Sequence, residues 1–535
     1  MTRIASALLI AFSSLQAVAA ESAASAAAAT QQAQAAFDLE TDVTRAMRTF
    51  DVPGIAIAIV KDGKVVAAQG FGVRKLGQPE KVDGKTVFEI ASNSKGFTAA
   101  ALAMLVDEGK LAWDDPVIKH LPDFRMYDSY VTNEMTVRDL LVHRSGLGLG
   151  AGDLLWWPTT TFSTDEIIHK LRYVKPATSF RASYAYDNLL YIVAGKIIAQ
   201  KMGMSWGDAM RERILKPLGM TSTTTSLEEN AGNPNVAGAH SKINGKISLV
   251  KQVPVSNAIG AVGINTGAED ISKWMIALLD GGKVPGSDKR LFSEKQAREM
   301  WTAQTPMRIS EPKPSLAATR PNYYAYGLGF QLRDYKGRML AMHGGALQGF
   351  YSRVLMVPEE KLGIAILTNA ENGSAMTALQ YRILDHYLKA QPSDWIKLFH
   401  DVETEMHAKE MAKLKNESAT RAKSAPSLPV SSYDGEYQDP WYGTVSIAKG
   451  ANGKRTMSFS RSPDLVGELE HFQYDTFIVR WNQRNFNADA YVTFALNPDG
   501  SIERMKMAPI SSETDFSYDF QDLSFTPVKA PAPAK

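Results

Sequence analysis

The sequence predicts an α+β fold: an antiparallel sheet flanked by helices, an all-helical subdomain against it, and a separate small antiparallel β domain at the C-terminal end. Three observations carry that expectation. Strand-like runs stand at both ends of residues 36–395 with helical segments between them, so one sheet is assembled from both ends of the unit. The 535-residue length exceeds what one ordinary core serves, and two domains are the natural division. From residue 430 onward the texture changes to short β-prone runs separated by turns.

The chain opens on a segment with the marks of an export signal. Arg3 supplies a positive start, residues 4–15 are largely apolar, and Ala17-Val18-Ala19-Ala20 offers small side chains for cleavage before Glu21. A signal peptide is therefore expected over 1–20, with an Ala-rich leader over 21–35. The apolar stretch is too short to anchor stably in a bilayer. The expected destination is a bacterial periplasm, or the medium beyond it. The chain has no cysteine, which excludes thiol catalysis, Cys-based metal sites and disulfides.

A helix is expected over 37–50, stopped by Pro53-Gly54, and then a hairpin with strands at 55–60 and 65–71 around Lys61-Asp62-Gly63-Lys64. Residues 97–108 are apolar at helical spacing, with Gly109 where the helix should stop. Further strands are read at 326–332, 339–343, 351–357 and 362–368, with Glu359-Glu360-Lys361 as the last turn. Residues 374–388 and 393–417 are helix-like, and 396–429 is read as a helical segment and linker because Ala, Ser, Lys and Pro dominate 418–429. The β domain spans 430–528, with strands expected at 444–447, 455–459, 476–481, 490–496 and 502–507. Residues 529–535 form a Pro/Ala/Lys tail read as disordered.

Bulk properties narrow the function classes. An apolar content of 44% with 22% charged residues is that of a soluble folded protein. The net charge of +2 comes from 59 basic and 57 acidic residues, mixed along the chain, so nothing points to a nucleic-acid partner.

Three short segments carry chemistry. Ser92-Asn93-Ser94-Lys95 heads an apolar helical run. Residues three apart on a helix share a face, so Lys95 can set its amine beside the Ser92 hydroxyl. A serine hydroxyl needs such a base to become a nucleophile. Tyr186-Asp187-Asn188 places a phenol and an amide on one side of an extended backbone, the phenol able to relay a proton and the amide to orient Lys95 or a substrate carbonyl. His343-Gly344-Gly345-Ala346 lets substrate approach the backbone closely. The amides of Ser92 and Ala346 can form an oxyanion hole, and His343 can bind a substrate carboxylate or assist proton transfer. Each segment alone also has an ordinary structural reading, as a helix cap, a set of core tyrosines or a glycine turn.

Taken in order, Phe88-Glu89-Ile90-Ala91-Ser92-Asn93-Ser94-Lys95, residues 111–117 and 136–147, Tyr186-Asp187-Asn188, residues 326–330 and residues 343–350 resemble the serine beta-lactamase-related superfamily. Within it the segments resemble the group of class C beta-lactamases, D-aminopeptidases and family S12 carboxypeptidases, and the similarity covers residues 38–390. The resemblance implies a beta-lactamase/transpeptidase-like fold with Ser92 acylated, Lys95 as its proton partner and Tyr186 as general base and later acid. It implies Asn188 as a substrate and network donor, with His343 and Gly345 also binding substrate. His143, within 136–147, is implied to be structural. No metal or organic cofactor is required. Where classical relatives carry Lys-Thr-Gly this chain has His-Gly-Gly, which removes a fixed positive charge.

The activity so implied is hydrolysis of a peptide amide through a Ser-linked acyl-enzyme, on small or linear peptides that include D-residues, linearised microcystin among them. Alternatives within the fold are an esterase, a D-aminopeptidase or DD-carboxypeptidase, and a beta-lactamase; a non-catalytic binding protein is the alternative outside enzymes. The expected partner is a small-molecule or peptide substrate, with no stable membrane insertion after signal cleavage. The oligomeric state is not legible.

Overall fold

A computed structural model describes residues 37–450 and 453–528. The expected signal and leader, and the expected tail at 529–535, lie outside the described residues. The first helix, α1 (Leu39–Phe50), buries Val43, Ala46 and Phe50 along one side, and the Asp38 carboxylate caps it by accepting from the Glu40 amide. The chain then enters the hairpin of β1 (Gly54–Lys61) and β2 (Lys64–Gly72).

β1 is buried along nearly its whole length because the sheet is covered on both faces. The remaining strands come from the far end of the unit: β3 (Thr305–Pro306), β4 (Tyr324–Tyr326), β5 (Gln331–Tyr335), β6 (Arg338–Leu347), β7 (Phe350–Val357) and β8 (Leu362–Thr368). Their order is β2-β1-β8-β7-β6-β5-β4-β3, antiparallel throughout. The N-terminal hairpin thus pairs with the last strand, as strands at both ends of the unit require.

One strand departs from expectation. Residues 326–332 do not form a single strand; β4 ends at Tyr326 and β5 begins at Gln331. Between them Gly329 has φ +81°, and a Cβ there would lie 2.8 Å from the Lys95 carbonyl oxygen. The break lets the sheet press directly on α2 (Ser94–Asp107), whose residues from Ser94 to Leu105 are all buried.

Alternation sorts the sheet's side chains into two cores. Ile55, Ile57 and Ile59, with Ile364 and Ile366, face α1, α5 (Gly373–Tyr387) and the start of α6 (Trp395–Thr420). Ala56, Ala58, Val60, Ala365 and Leu367 face the helical side, where α2, α3 (Leu189–Met202) and α4 (Ala268–Leu279) pack. The small alanines let α2 and α4 approach the strands closely.

The helix expected over 393–417 is α6, and it takes in the first residues of the expected linker. It runs to Thr420, and only 421–429 lack a regular helix or strand. Its first residue, Trp395, donates its indole N–H to Asp385 at 2.7 Å, and the same carboxylate accepts from Tyr335 at 2.6 Å.

The C-terminal domain contains β9 (Gly435–Asp439), β10 (Gly443–Lys449), β11 (Arg455–Phe459), β12 (Val466–Gln473), β13 (Thr476–Trp481), β14 (Ala490–Leu496), β15 (Ile502–Pro509) and β16 (Thr526–Pro527). They form one antiparallel sheet in the order β15-β14-β13-β12-β11-β10-β9-β16. A bridge between Met505 and Phe525 nearly closes it into a barrel. β9 and β12 were not legible as strands; β12 carries two glutamates, a glycine and a glutamine, and its pairing to β13 rather than its composition keeps it extended. The domain clasps the helical side through Arg461, which donates to Thr161 and Glu166 and lies 4.0 Å over the Phe162 ring.

Asp385, Tyr335 and Trp395 are each almost fully buried. Asp385→Ala leaves a phenol and an indole without their acceptor, which costs about 1–3 kcal/mol for each. The expected result is a loss of about 2–4 kcal/mol in chemical denaturation with no change in secondary structure; a loss below about 0.5 kcal/mol would show that α6 is not held this way.

Candidate active site

Ser92 sits on a turn that the rest of the fold holds in a costly conformation. The short strand Phe88–Glu89 pairs with Asn265–Thr266, and the chain then enters a 3-10 turn at Ala91–Asn93 before α2 begins at Ser94. Ala91 has φ +48°, a left-handed conformation that costs a non-glycine residue about 1–2 kcal/mol. Three hydrogen bonds hold it. Asn93 donates to Ser352 Oγ at 2.8 Å, Ser352 donates to the Ile90 carbonyl at 2.8 Å, and the Ile264 amide donates to Ser94 Oγ at 2.9 Å.

Ser92 therefore precedes the α-helix rather than starting it. The serine-to-lysine spacing still works, because side chains three apart eclipse in a 3-10 turn. Lys95 Nζ lies 2.9 Å from Ser92 Oγ and 2.7 Å from Asn188 Oδ1, with the Ala261 carbonyl at 3.5 Å. The rings of Tyr186 and Tyr191 flank the amine at 4.8 and 5.1 Å. Its side chain is wholly buried. Burial pulls the Lys95 pKa down to about 7, opposed by the charges of Asp153 and Asp187.

Asn188, just before α3, connects the lysine to an acid. Its Nδ2 donates to Asp153 Oδ2 at 2.8 Å, and that oxygen also accepts from Ser517 Oγ at 2.8 Å, while Trp156 Nε1 donates to Oδ1 at 2.8 Å. Burial raises the Asp153 pKa to about 7. Asp187 is raised to about 7 by the same cause; its carboxylate accepts from Ser145 and the Leu190 amide.

Tyr186 is partly buried beside Ser92. Burial pushes its phenol pKa up, and a hydrogen bond with the Ser92 side chain pulls it partly back. Its carbonyl accepts from the Gly150 amide at 2.9 Å, and the rings of His143 and Phe516 lie 4.3 and 5.8 Å from its own. His143 is completely buried beneath it, with Nδ1 accepting from the Asp187 amide at 3.2 Å.

His343 lines the cleft, but both ring nitrogens have protein partners: Tyr326 OH at 2.8 Å from Nε2 and the Gly344 carbonyl at 2.6 Å from Nδ1. The arrangement fits an Nδ1–H donating to Gly344 and a Tyr326 hydroxyl donating to Nε2. Burial, with the Lys95 charge second, lowers its pKa to about 3, so the imidazole is neutral and offers no charge to a carboxylate. A Cβ on Gly345 would lie 2.1 Å from the Ile90 carbonyl oxygen and 2.4 Å from Ser352 Oγ. Only glycine lets β6 lie against the turn that carries Ser92. Ala346 is exposed, and β6 from His343 onward runs past the end of β5, whose pairing stops at Met342. That free strand edge forms one wall of a cleft of about 690 Å³.

Ser92, Lys95, Tyr186, Asn188, His343, Gly345 and Ala346 are thus gathered at one place. Sequence reasoning did not single out Asp153 or Tyr326. Asp153 lies in no motif, and only its burial beside Asn188 identifies it. The C-terminal domain contributes Asn485–Asn487 and Glu513–Tyr518 segments to the cleft wall, with Asp515 to Tyr518 among the lining residues. Asp519 accepts from the amides of Gly152 and Leu154 at 2.6 and 3.2 Å, so this domain also fixes the turn that carries Asp153. Among the described residues no three His, Asp or Glu side chains are placed to hold a metal ion, and no helix is long and apolar enough to cross a membrane.

Comparison with known proteins gives consistent matches. The model of the family described as Beta-lactamase matches residues 39–388, and one described as a domain of unknown function (DUF3471) matches residues 419–527. Unguisins hydrolase ungD' of Aspergillus campestris is 29% identical over 495 residues, covering 87% of this chain and 88% of that protein. Protein flp of Staphylococcus aureus (strain MRSA252) is 28% identical over 342 residues, 62% of each chain. Among solved structures, the octameric penicillin-binding protein homologue from Pyrococcus abyssi is similar with a TM-score of 0.57 and 21% identity, covering 91% of this chain and 98% of that one. That likeness bears on the fold alone.

Gly345→Ala puts a methyl group into the Ile90 carbonyl, so β6 or the Ser92 turn has to move. The expected outcome is a destabilisation of about 1–3 kcal/mol together with a fall of about 100-fold or more in Ser92 reactivity toward a fluorophosphonate probe, since a 1 Å displacement is enough for that. Unchanged labelling would mean that the close approach at Gly345 does not set the nucleophile.

Proposed function

The chain belongs to the beta-lactamase family of serine hydrolases, and we propose that it cleaves peptide amide bonds through an acyl-enzyme on Ser92. The contact that carries this reading is Lys95 Nζ at 2.9 Å from Ser92 Oγ, in a site where burial lowers the lysine pKa to about 7. An amine that is half unprotonated near neutral pH is a matched base for a hydroxyl.

In the proposed first step the Ser92 hydroxyl attacks the substrate carbonyl while its proton passes to Lys95. The amides of Ser92 and Ala346 hold the oxyanion. Tyr186, whose high pKa keeps it protonated, hands a proton to the departing amine and is resupplied from Lys95. Water then attacks the ester carbonyl of the acyl-enzyme, Lys95 takes its proton and returns it to the departing Ser92 oxygen, and the acid product is released. Asn188 holds the Lys95 amine in line through its Oδ1 and is itself oriented by Asp153. His143 and His343 are neutral positioning groups on this reading, packed against or bonded to tyrosines that border the site.

The substrate class is proposed as small or linear peptides that include D-residues. A relative spanning both domains and named an unguisins hydrolase supports hydrolysis by the whole two-domain chain, with the C-terminal domain part of the enzyme. Unguisins and linearised microcystin are therefore the first substrates to try. An esterase using the same residues is the nearest rival; the exposed mouth residues Leu149 and Phe516 would suit an acyl chain. Beta-lactam hydrolysis is less favoured, because the neutral His343 stands where those enzymes carry a lysine. Export to the periplasm remains a proposal resting on the leader sequence.

A mass-resolved screen of D- and L-containing linear peptides beside simple esters and beta-lactams tests the reading. Amide turnover with accumulation of an adduct on Ser92 is expected; turnover of esters alone would favour the esterase. Ser92→Ala is expected to abolish turnover in a folded protein, and Lys95→Ala to slow acylation by about 10²–10⁴-fold. Full activity in Lys95→Ala would remove the lysine from the mechanism.

The pH dependence follows from the same shift. Lys95 must be unprotonated to act, so kcat/KM is expected to rise with pH through an ionisation near 7. The Asp153 charge raises the Lys95 pKa, so Asp153→Asn should move this limb to lower pH. Movement to higher pH, or no movement, would contradict the assignment of the limb to Lys95.

A further inference from the structure

One cation of the cleft has no counter-charge. Arg353 lies on β7, directly across from Gly344 of β6, on the sheet face of α5 and opposite the face of Ser92, and it lines the cleft where the cleft passes the free edge of β6. It is partly buried, and its Nε is buried without a hydrogen-bond partner. Among the described residues no carboxylate makes an ion pair with it. Its titratable neighbours are Arg333, also a cation, the neutral phenols of Tyr324 and Tyr381, and the neutral His343. The acids of the same cleft are engaged elsewhere: Glu371 accepts from the Gly349 amide at 2.7 Å and Ser241 Oγ at 2.8 Å, Asp515 accepts from the Ser517 amide at 2.8 Å, and Glu513 lies 3.3 Å from His407 Nδ1.

A guanidinium does not give up its proton at any ordinary pH. Taking one out of water with no anion beside it is unfavourable unless an anion arrives later. The approach to Arg353 is open: a Cβ on Gly344 would stand 3.8 Å from its Cζ and 3.9 Å from Nε, so the glycine leaves uncovered the face that any other residue would cover. Position 344 is two residues along β6 from Ala346, about 7 Å at the rise of a strand. His343, the other group at this strand edge that sequence reasoning offered to an anion, is neutral and occupied on both nitrogens.

We propose that Arg353 is the anion-recognising group of the cleft and pairs with a carboxylate on the substrate, a residue or two from the bond that Ser92 attacks. The carboxylate is either a free chain terminus or an acidic side chain. Its placement relative to the scissile bond rests on the reading of Ser92 as the nucleophile; the recognition of an anion by Arg353 does not. The fork of the guanidinium suits two-point pairing with a carboxylate.

The test uses the full chain with Ser92→Ala, so that binding is measured without turnover and its outcome is independent of whether Ser92 is the nucleophile. Three peptides are titrated calorimetrically: acetyl-Ala-D-Ala-Leu-Gly with a free carboxylate, acetyl-Ala-D-Ala-Glu-Gly-amide, and the neutral acetyl-Ala-D-Ala-Gln-Gly-amide. One or both anionic peptides should bind about tenfold or more tighter than the neutral one, and which of them does so identifies the source of the carboxylate. Adding Arg353→Gln should erase the preference, while Arg353→Lys, which keeps the charge and loses the fork, should retain part of it. Equal binding of all three peptides, no measurable binding of either anionic peptide, or a preference that survives Arg353→Gln in a protein with unchanged circular dichroism would overturn the proposal.

Discussion

The architecture around the cleft depends on keeping an amine out of water without giving it an anion to touch. Lys95 is fully enclosed, and its contacts are a hydroxyl, an amide oxygen, a backbone carbonyl and two aromatic rings. A carboxylate in direct contact would hold the ammonium form and leave no base. The nearest acid in the network, Asp153, is instead one amide away, behind Asn188. Desolvation lowers the lysine pKa and a relayed negative charge raises it, and their balance falls near neutrality.

That balance needs more of the chain than the segment carrying the lysine. The strained turn at Ala91 is held by β7 through Ser352, and β6 can lie against it only because position 345 has no side chain. The interruption between β4 and β5 brings Gly329 onto the Lys95 carbonyl and Tyr326 onto His343. On the other side, Asp153 is gripped by Ser517 and its turn by Asp519, both from the C-terminal domain. The β domain is thus joined to the lysine's environment through two hydrogen-bonded links, besides walling the cleft with Phe516. A nearly closed barrel is a stiff platform for that contact, since closure leaves little sheet edge to fray.

Much of this was legible in the sequence, for identifiable reasons. The hairpin, α1, α2 and strands β6 to β8 announce themselves by apolar periodicity and by turns such as Asp62-Gly63. Ser92, Lys95, Tyr186 and Asn188 come from short segments whose spacing has a direct geometric consequence. What stayed hidden depends on long-range contacts. The division of residues 326–332 follows from the approach of Gly329 to α2, and the helix legible over 393–417 carries no local sign of the bond that anchors it, Trp395 to Asp385. Asp153 and Ser517 are 364 residues apart in sequence, and no local pattern marks either as a partner of the other. Arg353 reads as an ordinary charge in a strand until its surroundings are found to lack an acid.

The central claim is that Lys95 gives up its proton near neutral pH. The most direct test is a nuclear magnetic resonance titration of protein carrying ¹³C-labelled lysine side chains, with the Lys95 signal assigned by comparison with Lys95→Arg. The Lys95 Cε shift should titrate near pH 7, well separated from the other lysines. A Lys95 signal that moves only with the surface lysines, near pH 10, would mean that the amine stays charged and cannot take the serine's proton.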